Sequence, residues 1–97
     1  MRIDISDNLR HFFTRYNEER RLSLWQALLD ELVSIKVQAQ FVESDEQLNA
    51  VKHKFKGICR YLAIEFDMQM AQIISAEQLL DVVGHIYEQV VAIKDEL

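Results

Sequence analysis

Proline is absent, glycine occurs only at 57 and 84, and cysteine only at 59. Strands and hairpins are punctuated by glycine and proline, so an all-β or α/β chain is a poor reading. A single cysteine excludes an internal disulfide and a cysteine-based zinc site. Basic residues are outnumbered, with 11 Lys and Arg against 16 Asp and Glu, a formal net charge of -5. A phosphate backbone needs a basic face, so nucleic acid is not the expected partner. No window approaches the roughly 18 apolar residues of a membrane span. Met1 to Asp7 holds acids and no apolar leader core. The expectation is a complete small cytoplasmic protein, or a module working beside larger partners.

What is present is ordinary for one folded domain over residues 1–97. Hydrophobic residues make up 49% and charged residues 28%, enough for one core. The apolar spacing is helical throughout. Leu9, Phe12, Phe13 and Tyr16 predict a short helix over about 6–16, with Ser6 as N-cap. Asn17 to Arg21 reads as a turn or the start of the next helix. Trp25, Leu28, Leu32, Ile35, Ala39 and Val42 recur at three- and four-residue steps, the seam of a helix over about 20–42.

Ser44-Asp45-Glu46-Gln47 fits a capping box. The helix after it carries Leu48, Val51, Phe55, Ile58 with Cys59, and Leu62 inward. It is expected to reach about residue 72, with a bend or break near 65–67. Ser75-Ala76-Glu77-Gln78 is a second capping box. The last helix buries Leu79, Val83, Ile86, Val90, Ile93 and Leu97. The architecture expected is all-α, an antiparallel up-down four-helix bundle with a short additional N-terminal helix or turn. Such a rod is expected to lack a deep pocket, which argues against a small-molecule enzyme.

One short run stands out, His53-Lys54-Phe55-Lys56-Gly57. At 100° per residue, Asn49, Lys56, Gly57 and Arg60 lie near His53, and the apolar seam points elsewhere. His53 is therefore expected in solvent, with Lys52 and Lys54 beside it in sequence. A mid-helix glycine costs about 1 kcal/mol relative to alanine, and close approach of another molecule would justify that cost. A neutral imidazole is a nucleophile near physiological pH. Phosphoryl transfer asks mainly for positioning and charge neutralisation, which Lys56 would supply.

His53-x-x-Lys56-Gly57 resembles the H-x-x-K-G signature of histidine-containing phosphotransfer domains of two-component phosphorelays. Ser44 to Leu48 is similar to the acidic turn and leucine that open that family's active helix. Phe55 takes a place usually filled by leucine, and Leu62-Ala63 stands where the family often has Leu-Gly. The match covers residues 44–63; beyond 66 only helical pattern corresponds. The chain departs from the family at Lys52, where a small residue is common, and at Ile58-Cys59, where serine or alanine is usual. A chance H-x-x-K-G arises in roughly 1% of such chains, so the exposed helical setting matters more than the letters.

The resemblance implies a monomeric phosphoryl carrier without autokinase activity. His53 would be phosphorylated, Lys56 would be the phosphate-side cation and Gly57 the access residue, with Asn49, Lys52 and Arg60 in the partner surface. It implies a response-regulator receiver domain as partner, with a hybrid sensor kinase as a further candidate. No cofactor is expected on this chain; Mg²⁺ would sit on the receiver. The competing expectation is a small helical adaptor or secretion-type chaperone that binds a partner helix in an apolar groove. The short aromatic first helix fits that class.

Other residues carry blander readings. His11 is expected at a helix end, and Gly84-His85 at a tight helix contact. The three histidines lack the i,i+4 spacing of a zinc site. Cys59 and Trp25 are expected in packing, and Met68 and Met70 as core filler or a forgiving surface. The acidic pairs at 30–31, 45–46 and 95–96 read as solvated faces or helix-start charges.

Overall fold

The computed structural model describes residues 4–97, and every element in it is helical. Five helices follow in order: α1 Ser6–Phe13, α2 Glu18–Gln40, α3 Asp45–Tyr61, α4 Asp67–Ala71 and α5 Ala76–Ile93. A 3-10 turn, Lys94–Glu96, follows α5. The molecule is elongated, 41 × 23 × 18 Å. Among the described residues, no helix is long and apolar enough to cross a membrane.

The helix starts are set by local chemistry. Asn17, Ser44 and Ser75 are N-caps whose side chains accept from the backbone N–H three residues on. Both serine boxes close in the same modified way. Gln47 Oε1 accepts from the N–H of Glu43 at 2.6 Å, and Gln78 Oε1 from that of Ile74 at 2.7 Å. The reciprocal bond thus goes to the residue before the cap, whereas an ordinary capping box returns it to the cap itself. Ser6 is not the cap expected of it. It is the first helical residue, and Asp4 Oδ1 accepts from its N–H at 2.9 Å. Hydrogen bonds from Ser6 hold the Asp4 carboxyl below its usual range.

The end of α3 departs most from expectation. The helix stops at Tyr61, so the break expected near 65–67 comes earlier, and Asp67–Ala71 forms a separate helix. Ala63 takes φ 59°, the left-handed region that normally falls to glycine. Its N–H donates to Arg60 O at 3.0 Å, and the N–H of Ile64 donates to Cys59 O at 2.8 Å. This is the two-bond Schellman stop, with buried Ile64 and Cys59 supplying its apolar contact. Asn8 Nδ2 donates to Ala63 O at 3.0 Å and ties the turn to α1. The short α4 follows as a separate helix.

The core is dry: among the described residues no polar or charged side chain is buried. Phe13 and Phe55 are completely enclosed, each worth about 2–3 kcal/mol of burial. The α2 seam is buried at Leu28, Leu32, Ile35 and Ala39, with Trp25 and Val42 half-buried against it. Leu97 is likewise packed on the core edge. Near the start of α2, Trp25 Nε1 donates to Val90 O near the end of α5 at 2.7 Å. Arg10 Nε meets Glu96 Oε1 at 2.8 Å and joins the two ends of the chain. Gly84 marks no tight helix contact, because a Cβ built on it meets nothing within 4 Å.

Candidate functional site

α3 is amphipathic, and its buried positions fix what its opposite face presents. Leu48, Val51, Phe55 and Cys59 point into the core. His53 lies roughly half a turn around from them and is exposed. Asn49, Gly57 and Arg60 are exposed with it, and Lys52 and Lys56 are half-buried on one flank. The face predicted from the sequence is therefore assembled as expected. Among the described residues no side chain hydrogen-bonds or ion-pairs with the His53 ring. Nothing fixes its tautomer, and either ring nitrogen is open to an incoming group.

The cations around it differ in their engagement. Lys52 Nζ donates to Ile73 O at 2.7 Å, which ties α3 to the segment between α4 and α5. Lys54 Nζ donates to Gln38 Oε1 on α2 at 2.9 Å. Lys56 Nζ lies 3.4 Å from Asp67 Oδ1, a half-exposed ion pair at the start of α4. Lys56 is thus the ammonium one turn from the imidazole that is held only by a solvated carboxylate.

Gly57 completes the face. A Cβ built there meets no atom within 4 Å, so packing does not demand a glycine. The missing side chain leaves open space next to the ring.

Two hollows flank this ridge. On the α4 side, Asn49, Lys52, His53, Lys56 and Asp67 border a polar depression of about 240 Å³ floored by Met70 and Ala71. On the α2 side lies an open apolar groove of about 350 Å³. Leu24, Ala27 and Leu28 of α2 face Gly57, Ile58 and Tyr61 of α3 across it, and Phe12 closes one end. Glu31 and Lys54 stand at its rim as the charged members. The surface is therefore less featureless than a pocketless rod.

Sequence reasoning overlooked two of these features. Asp67 lies beyond the Schellman stop, so no helical spacing connects it to Lys56. Tyr61 is 61% exposed and rests its ring 5.0 Å from that of Phe12. The signal for it was available, since it stands four residues after Gly57 on the same side of α3.

The other weighed residues fall outside the site. His11 is exposed on α1. His85 is half-buried on α5, with Nδ1 3.9 Å from Glu88. Met68 is exposed and Met70 buried. Cys59 is buried behind the site, and burial pushes its thiol up to about 12. That thiol is no nucleophile at neutral pH.

What the ridge offers chemically is one accessible imidazole, an adjacent ammonium, and room for a second macromolecule to reach the ring. No family model, curated protein or solved structure matches the chain.

Proposed function

We propose that the chain is a histidine phosphotransfer carrier that passes a phosphoryl group between His53 and an aspartate of a receiver domain. The observation that carries this reading is the exposed His53 ring with Lys56 one turn on and open space at Gly57. The reading includes the up-down four-helix bundle, a monomeric state and a cytoplasmic setting. In the receiving direction, an imidazole lone pair attacks phosphorus, the P–O bond to the receiver carboxylate breaks, and the ring sheds a proton to solvent. In the donating direction, the other ring nitrogen takes a proton back from solvent, the P–N bond breaks as a P–O bond to the receiver carboxylate forms, and the imidazole leaves neutral. Lys56 neutralises charge on the transferring group. The partner would dock over His53 and use the apolar groove beside Gly57 as its hydrophobic edge. Asn49 and Arg60 would border that contact, while Lys52 would act through the frame it braces.

The test is transfer from a phosphorylated receiver domain of the same organism to wild type and to His53→Gln. Acid-labile, base-stable label on wild type and none on the variant is the expected result. No label on folded wild type with any receiver would sink the reading.

The groove also favours a second reading, a helical adaptor that holds an apolar partner helix. That reading expects partner binding to survive His53→Gln and to fail when Tyr61 or Ile58 is made charged.

A further inference from the structure

Building on the carrier reading, we infer that Asp67 is a positioning residue that limits the lifetime of the phosphoryl group on His53 by competing with it for Lys56. The Lys56 ammonium lies 3.4 Å from the Asp67 carboxylate. Both residues border the hollow that contains His53. A phosphoryl group on the ring brings up to about two negative charges into that hollow. It then draws on the same ammonium and faces the Asp67 carboxylate as a like charge.

The geometry makes the competition specific to this carboxylate. Asp67 sits at the start of α4, between the buried Phe66 and Met70. Phe66 is buried with its ring 6.4 Å from that of Phe55, which lies under the His53 face of α3. The buried Met70, one turn on in α4, closes the same contact, and its N–H donates to Phe66 O at 2.8 Å. The Lys52 to Ile73 bond braces the far end of the hollow. The other two lysines are already engaged. Lys52 is engaged by a carbonyl, and Lys54 reaches toward α2.

With Asp67 present, Lys56 is shared, and the phosphorylated ground state is less stabilised than it would be beside a fully committed lysine. Water or a receiver carboxylate attacks phosphorus, the P–N bond breaks, and the imidazole departs neutral because its other nitrogen has taken a proton from solvent. No oxidant or metal on this chain enters the step. Removing the carboxylate frees the ammonium and removes one repulsion. For a half-exposed pair and one solvent-screened charge, the expected gain in lifetime is about three- to tenfold.

The experiment charges the full chain with phosphoramidate, a small-molecule phosphoryl donor to histidine. Decay of the label is followed by phosphorus NMR for wild type, Asp67→Asn, Asp67→Glu, Lys56→Ala and the Lys56→Ala/Asp67→Asn double variant. Asp67 is 73% exposed, so its substitution should leave the fold intact, which circular dichroism checks. The expectation is a lifetime three- to tenfold longer in Asp67→Asn and near wild type in Asp67→Glu. Lys56→Ala should shorten it, and in that background Asp67→Asn should change it less than about twofold. An unchanged or shorter lifetime in Asp67→Asn overturns the inference. So does an equal factor in both backgrounds, which would make Asp67 act without Lys56. Failure of wild type to take label at His53 overturns the carrier reading itself, and this inference with it.

Discussion

Gly57 and Gly84 form a matched pair that separates stability from access. Each lies inside a long helix, α3 and α5, and neither has a positive φ. A Cβ on either meets no atom within 4 Å, so alanine fits both without strain. Glycine in a helix interior costs about 0.8–1.0 kcal/mol relative to alanine, through backbone entropy and exposed peptide groups. Gly57→Ala and Gly84→Ala should therefore each stabilise the chain by about 1 kcal/mol. In a domain of this size that raises Tm by about 4–8 °C. Thermal and urea melts followed by circular dichroism read this directly. Function should then divide the pair. Gly84→Ala lies away from His53 and should transfer at the wild-type rate. Gly57→Gln keeps good helix propensity but fills the space beside the ring. It should melt above wild type and transfer at least about tenfold more slowly, because a partner displaced by a fraction of a side chain loses in-line geometry. An alanine variant that melts below wild type would refute the open-space argument. A Gly57→Gln variant that transfers at full rate would refute the access role.

Two further outcomes follow from the frame behind the site. Ala63→Gly removes a left-handed alanine, so the urea midpoint should rise by the equivalent of about 1 kcal/mol with the slope unchanged. Cys59 is neutral in the fold with its thiol pushed up to about 12, so its burial favours the folded state fully below the unfolded thiol value. That contribution fades as pH rises from about 8.5 toward 12. Cys59→Ala should lose part of the alkaline destabilisation that wild type shows, and a thiol reagent at pH 8 should label wild type only as fast as it opens.

The parts of the fold that were legible in the sequence are those decided within a turn or two of chain. Ser44 and Ser75 cap because a short hydroxyl followed by glutamine three residues on satisfies orphan N–H groups wherever the apolar periodicity begins. The inward faces of α2, α3 and α5 follow from three- and four-residue spacing. The Schellman stop at Ala63 was not legible, because its usual marker is glycine and this chain places alanine there. The strain is borne by tertiary contacts, the Asn8 bond and the buried Ile64. Without that marker the spacing predicts a helix to about 72 with a bend or break near 65–67, a stop placed too late. At α1 the buried Ile5 takes the N-cap position with no side-chain cap, and Ser6 falls inside the helix with its N–H donating to Asp4 Oδ1.

The candidate site divides along the same line. His53, Lys56, Gly57, Asn49 and Arg60 belong to one helix, so periodicity alone puts them on one face. Both flanks of that face are made by other helices. The polar flank depends on where α4 begins, and so on Ala63. The apolar flank depends on how far α1 and α2 stand from α3, which the rings of Phe12 and Tyr61 set. The letter pattern therefore points to a candidate nucleophile but not to the carboxylate beside its lysine. On the carrier reading, how Lys56 divides between a phosphoryl group and a carboxylate would depend on Asp67, fourteen positions beyond His53 and across a turn whose geometry the spacing does not give. On this argument the rate at which such a site gives up its cargo is set by the turn that brings α4 back against α3, and substitutions at 63–67 should tune it without touching the histidine helix at all.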